Sequence, residues 1–326
     1  RMRLSWWSRK QQFVVAAASQ VLVAGMKTVA PYGSWRSPLK AASITAGFKG
    51  LSGVSVCGDA CYWLESRPSE GGRNVVMRSL QGRVEEAIPR EMNARTRVHE
   101  YGGGAWLALD ESRVVYSNFG DQRLYVNDEP LTAEPPSPAA WRYADASRHG
   151  DYLYCVREEH GGGTEPTNSI ARVSLADGSV ETVSSGFDFY AAPRIAANGT
   201  KLAFVRWNHP NMPWDATELV VLDLASGEET IGVGEGADES NVQPHWHGDD
   251  LYYLSDRSGW YSLYKVGDDT PALAVEADLG DAAPGWILGQ RGYDVDADGR
   301  PVAAFKDRST GRTCVVRGDQ VIDGLP

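Results

Sequence analysis

A short apolar strand, a polar turn and a second apolar strand recur six times along this 326-residue chain, and that repeat limits its possible folds more than any other feature. The first strands read Tyr62-Trp63-Leu64-Glu65, Val114-Val115-Tyr116-Ser117, Tyr154-Cys155-Val156-Arg157, Ala203-Phe204-Val205-Arg206, Tyr252-Tyr253-Leu254-Ser255 and Ala303-Ala304-Phe305-Lys306. Subtracting successive last-residue numbers gives spacings of 52, 40, 49, 49 and 51 residues. The partner strands are Val75-Val76-Met77, Arg123-Leu124-Tyr125-Val126, Ile170-Ala171-Arg172-Val173, Leu219-Val220-Val221-Leu222, Leu263-Tyr264-Lys265-Val266 and Cys314-Val315-Val316. Weaker strands precede each pair, as in Ala191–Ile195 and Val242–Trp246, and Asn198-Gly199 and Asp298-Gly299 supply hairpin turns between them.

Each repeat is therefore predicted to be a four-stranded antiparallel sheet. Sheets at this spacing close into a β-propeller, whose radial order leaves only short, protected edges. Solenoid coils have shorter periods, and a sandwich needs no repeat. No amphipathic helix of useful length follows residue 45, and no Pro/Gly-rich linker divides the chain. Residues 30–326 are expected to form one all-β propeller domain with six four-stranded blades. The 35 Gly, 11 Trp and 14 Tyr agree, since glycine makes turns and aromatics suit half-buried sheet surfaces.

A net charge of −11 repels phosphate backbones, and no basic aromatic stripe offsets it, so nucleic acid is excluded as a partner. Cys57, Cys61, Cys155 and Cys314 are too few and too scattered for a disulfide framework. Cys57 and Cys61 form a C-x3-C pair with no second pair to complete a metal site, and are expected to be ordinary strand and turn residues. The first 58 residues hold no Asp or Glu, and Arg1, Arg3, Arg9 and Lys10 precede an apolar stretch from Phe13 to Met26. Residues 1–29 read as a targeting or upstream segment, and no membrane span is expected because the apolar stretch is short and broken by Ser19, Gln20 and Gly25. The expected compartment is cytoplasmic, or organellar if residues 1–25 are a transit peptide.

No G-x-S-x-G elbow is present; Gly53-Val54-Ser55-Val56-Cys57 lacks the closing glycine and sits in a strand. The six histidines form no Ser/Asp/His order, so no catalytic residue is assigned. His245-Trp246-His247 sets two imidazoles on one strand face, a small-molecule or metal-binding pattern if other ligands converge; blade-edge polarity is the expected role, and no metal or cofactor is assigned. Gly102-Gly103-Gly104 has no Lys-Ser/Thr after it and is expected to let backbones approach between blades. Two segments are richer than turns require: Trp207 to Asp215, which mixes aromatic, polar and rigid residues, and Arg157-Glu158-Glu159-His160, with paired carboxylates beside an arginine.

These segments resemble the N-terminal propeller of the prolyl oligopeptidase (S9) family of serine peptidases, in its acylaminoacyl-peptidase or dipeptidyl-peptidase-like branch. The matching pieces are Ala30-Pro31-Tyr32-Gly33-Ser34-Trp35, Trp63-Leu64-Glu65-Ser66-Arg67-Pro68, His99-Glu100-Tyr101-Gly102-Gly103-Gly104, Ser117-Asn118-Phe119 with Asp121-Gln122-Arg123-Leu124-Tyr125, Arg142-Tyr143-Ala144-Asp145, the His209 to Asp215 loop, and Ser255-Asp256-Arg257-Ser258-Gly259-Trp260. The resemblance implies a seven-bladed propeller capping an α/β-hydrolase domain and passing short peptides to a Ser/Asp/His triad. This chain offers six blades and no hydrolase sequence, so it is expected to be the substrate-gating part, inactive alone, with the hydrolase domain and short peptides as partners. The implied substrate-facing residues are His99, Glu100, Arg157, Glu158, His209, Asn211, Trp214 and Asp215, with Arg157 for a substrate carboxylate and Glu158 for a free amino terminus. The other reading is a stand-alone propeller that binds a protein or peptide partner without catalysis; an open ring with a raw sheet edge argues against it.

Overall fold

The computed structural model describes residues 29–322 apart from 36, 38, 41, 42, 45, 46, 164, 274, 276, 277, 281–284 and 307–311. The targeting segment expected at the N-terminus, Val29 apart, lies outside the described residues. Two compact units divide the chain, residues 1–46 and 47–326. In the first, Tyr32 and Trp35 meet edge-on at 5.7 Å and Ser34 Oγ donates to the Pro31 carbonyl at 2.7 Å.

The second unit is a six-bladed β-propeller. Blade 1 is β1 (Gly50–Cys57), β2 (Ala60–Arg67), β3 (Arg73–Leu80) and β4 (Arg83–Glu86); blade 2 is β5 (Trp106–Ala108), β6 (Val114–Ser117), β7 (Leu124–Val126) and β8 (Glu129–Pro130). Blade 3 is β9 (Trp141–His149), β10 (Tyr152–Glu159), β11 (Thr167–Ser174) and β12 (Val180–Ser185); blade 4 is β13 (Phe189–Ile195), β14 (Lys201–Trp207), β15 (Glu218–Asp223) and β16 (Glu229–Val233). Blade 5 is β17 (Asn241–His247), β18 (Asp250–Ser255) and β19 (Ser262–Lys265); blade 6 is β20 (Tyr293–Val295), β21 (Pro301–Lys306), β22 (Thr313–Arg317) and β23 (Gln320–Ile322). Every sheet is antiparallel with its strands in chain order. Among the described residues, no helix is long and apolar enough to cross a membrane.

The strong apolar pairs of the repeat are the second and third strands of each blade. In blades 2 to 5 they are apolar with little alternation because neighbouring blades cover both faces, and β14 is buried from Leu202 to Trp207; β2, in blade 1, alternates between buried and half-buried positions. Five apolar clusters follow, one per consecutive pair of blades. Tyr62 and Met77 of blade 1 pack with Val114 and Tyr116 of blade 2, and Tyr190 and Phe204 of blade 4 pack with Tyr154 and Ile170 of blade 3. Among the described residues, blade 5 shows three strands. After β19 the chain turns at Asp268, whose carboxylate accepts the Thr270 N–H at 2.9 Å, and the Ala272 N–H then donates back to the Leu263 carbonyl of β19 at 2.7 Å. The cysteines are free; Cys57 ends β1 and Cys61 lies in β2, as expected of strand and turn residues.

Four innermost strands carry a bulge: β1 at Gly53, β9 at Asp145, β13 at Ala192 and β17 at Gln243, each with positive φ (61°, 57°, 51° and 54°). Three of the four are not glycine, and each is tied to a neighbouring blade. The Asp145 N–H donates to the Gly104 carbonyl at 2.7 Å, Asp145 Oδ2 accepts the Ala192 N–H at 3.0 Å, and Gln243 Oε1 accepts the Gly292 N–H at 2.7 Å. Gly103 and Gly104 permit this closeness, since a Cβ on them would lie 2.2 Å from the Leu288 carbonyl oxygen and 2.8 Å from Asp145 Cα. Relief of left-handed strain, about 1–2 kcal/mol, exceeds the added unfolded-state entropy of a glycine, about 0.4–1 kcal/mol. Ala192→Gly is therefore expected to stabilise the protein by roughly 0.5–1 kcal/mol, read as a higher urea midpoint; a lower midpoint overturns the account.

Candidate functional site

Because strands alternate in direction, the turns between second and third strands and the connections between blades emerge on one face. Packing confirms it: His99, between β4 and β5, meets Phe189 at the start of β13 (5.2 Å between ring centroids), and Phe189 meets His209, in the β14–β15 turn, at 4.9 Å. Trp207 stacks on Phe189 at 5.3 Å and meets the His99 ring edge-on at 5.9 Å. A second aromatic run on this face joins Tyr101 to Trp286 at 5.8 Å and Trp286 to Trp214 at 5.2 Å, all three with exposed surface.

Glu158 is the polar centre. Only 2% exposed, its Oε1 accepts from Arg142 Nη1 at 2.9 Å and lies 2.7 Å from His160 Nε2, while its Oε2 accepts the backbone N–H of His99 at 2.7 Å. Arg142 Nη1 also donates to the Arg97 carbonyl at 2.9 Å and to Glu100 Oε1 at 2.8 Å. Glu100 itself is 74% exposed, and the Arg142 guanidinium holds its carboxyl below the usual range. His99 and Glu100 both have positive φ, 53° and 65°, a backbone turn that Glu158 pins from below. Glu100, Glu158 and His160 offer three ligand atoms within 4.8 Å of one another, but Arg142 already supplies the cation between the carboxylates, so the set is ill-suited to a metal.

Arg157 does not join this centre. Neighbours on a strand face opposite ways, and its guanidinium pairs with Glu159 and lies 5.0 Å over Trp141. The candidates in the His209 loop divide in two. His209 touches Phe189 and Asp188, and Trp214 touches Trp286; Asn211 and Asp215 are exposed and hold the loop, with the Asn211 N–H donating to the Asn208 carbonyl at 3.0 Å and Asp215 Oδ2 accepting the Met212 N–H at 2.8 Å. His245 faces the interior beside Arg291 and Asp294, and among the described residues neither it nor His247 joins three metal-ligating side chains. Arg142, His160, Phe189, Tyr101 and Trp286 belong to the face but are not among the substrate-facing candidates the sequence offers.

His99 Nε2 and Asn168 Oδ1 are both buried without a hydrogen-bond partner. Burial pushes the imidazole pKa down to about 4, against the weaker upward pull of Glu158 and of the neighbouring Asn168. Since the unfolded chain takes up this proton near 6.5 and the folded one does not, stability is present at neutral pH and lost as pH falls through that window. About 2 kcal/mol is expected to disappear between pH 7 and pH 5. His99→Asn, which tolerates the left-handed backbone, should remove that part of the slope in urea titrations; an unchanged slope refutes the assignment.

No family model matches the chain, and no curated protein does. Solved structures do. A puromycin-hydrolysing peptidase of Mycobacterium tuberculosis is 34% identical with a TM-score of 0.78, covering 90% of this chain and 50% of its own. A puromycin hydrolase is 27% identical with a TM-score of 0.79, covering 92% and 50%. Prolyl endopeptidases, at 12% identity and a TM-score of 0.58, share the fold alone. The chain thus spans about half the length of the peptidases it matches best among these. In sequence and in fold, it is similar to the N-terminal propeller of serine peptidases of the prolyl oligopeptidase family.

Proposed function

We propose that this propeller is the substrate-facing half of a peptidase acting on short peptides with a free amino terminus, alongside an α/β-hydrolase domain. The observation that carries the reading is an exposed carboxylate, Glu100, fixed by Arg142 and a buried Glu158 on a face rich in aromatic rings. Glu158 was the residue expected to take the amine, but its oxygens are engaged inside the protein; it anchors, and Glu100 receives. A peptide ammonium would meet Glu100 while its first side chains lie against Trp214, Trp286 and His209. His99 supports the aromatic wall from behind, Asn211 and Asp215 shape the loop, and Arg157 is given no part. The relatives, hydrolases named for puromycin, agree with a small substrate.

The test is a tryptophan-fluorescence titration of the purified chain with Tyr-Gly-Gly and its N-acetylated form. The free amine should bind about tenfold more tightly, as expected for one charge-assisted hydrogen bond, and Glu100→Gln should erase the difference. Equal affinities for the two peptides would sink the proposal.

A further inference from the structure

A cavity of about 1120 Å³ lies between the innermost strands. Among the described residues its charged lining is four arginines, Arg95, Arg148, Arg194 and Arg291, and two aspartates, Asp145 and Asp294, beside His245, with no lysine or glutamate. With histidine neutral, four positive less two negative leaves +2, inside a chain of net charge −11. A cleft lined by one sign of charge concentrates the field within it. The inversion is local and is built from particular pairings.

Arg194 shares its charge with the buried Asp145 at 2.8 Å, and Arg291 meets Asp294 at 2.6 Å and His245 at 3.0 Å. Arg148 shares with no carboxylate among the described residues. It lines the cavity and donates to two backbone carbonyls, Leu109 at 2.6 Å and Gly150 at 2.8 Å, so no carboxylate among these partners offsets its charge. Arg148, Arg194 and His245 stand near the ends of β9, β13 and β17, on successive blades, and Arg291 reaches His245 from blade 6. Together the three arginines form an arc of cationic side chains at the hairpin end of the cavity, with His245 beside Arg291, away from the Glu100 face.

We infer that this cavity is an anion-binding site whose ligands are acidic peptides. Several separated guanidinium groups around one cavity suit several carboxylates on one chain, and guanidinium pairs with carboxylate through paired, directed hydrogen bonds. A lone small anion would use only one of them. The inference does not depend on the Glu100 proposal, which concerns the opposite face and a ligand cation.

Calorimetric titration of the purified chain with tetraglutamate, tetra-alanine and inorganic phosphate tests it. Tetraglutamate is expected to bind with an affinity that falls as salt rises, while tetra-alanine does not bind. The pair Arg148→Gln and Arg291→Gln, which neutralises the lining, should weaken tetraglutamate at least about tenfold, and Arg148→Lys, which keeps the charge but not the paired geometry, should weaken it by less. If the double variant does not fold, the exposed Arg291→Gln alone should still cost about threefold. Equal affinity for tetra-alanine, an affinity untouched by charge removal, or binding of phosphate without tetraglutamate would each overturn the inference.

Discussion

Glu158→Ala is expected to destabilise this protein by about 3–5 kcal/mol, because it removes one side of a buried ion pair and leaves the other. Arg142 is itself mostly buried, and without Glu158 its only carboxylate partner among the described residues is the exposed Glu100. The backbone N–H of His99 loses its acceptor as well, so the left-handed His99–Glu100 turn is released. Chemical denaturation reads the stability, and the same variant should lose the preference for a free peptide amine even under conditions where it stays folded. Glu100→Gln separates the two effects: Glu100 is so exposed that its loss should change stability by no more than about 0.5–1 kcal/mol while removing the amine preference. A Glu158→Ala variant as stable as the parent would show that Arg142 is satisfied by other means.

Phe204→Ala should cost about as much, roughly 3–5 kcal/mol, for a different reason. The ring has 0% exposure at the junction of blades 3 and 4, beside Tyr190, Tyr154 and Ile170, and rigid strands on both sides restrict collapse into the space it leaves. Phe204→Leu keeps most of the volume and should cost less than about 1.5 kcal/mol. Thermal unfolding of the pair distinguishes a packing loss from a general intolerance: equal losses for both would mean that ring shape, not volume, is what the site requires.

The inner blades were legible because their middle strands are buried on both faces, and continuous runs such as Leu202-Ala203-Phe204-Val205 survive every detail of pairing. The short fourth strands left weaker marks, and blade 5 shows why. Its chain leaves β19 through Gly267, Asp268 and Asp269, residues that suit a turn as well as the end of a hairpin. The site was legible only in part. Glu100, Glu158, His209 and Trp214 stand out by type, yet their partner Arg142 is set by a register that counting does not give. From the facing pair His149 and Tyr152, plain antiparallel pairing puts Tyr143 opposite Glu158; the bulge at Asp145 shifts the strand by one and puts Arg142 there instead. The same one-residue period explains Arg157, which is adjacent to Glu158 in sequence and faces away from it.

The bulges have a further consequence for how such a ring can be altered. Gly104, ahead of β5, accepts from Asp145 in blade 3, Asp145 accepts from Ala192 in blade 4, and Gln243 in blade 5 accepts from Gly292 beside blade 6. Each acceptor waits on a donor supplied later in the chain, so the blades are not interchangeable parts. A blade grafted from another propeller would have to bring a left-handed residue at this position and, in the third and fifth places, an acceptor side chain of the right reach. A duplicated blade would have to satisfy two neighbours at once, and divergence between repeats is therefore constrained pair by pair.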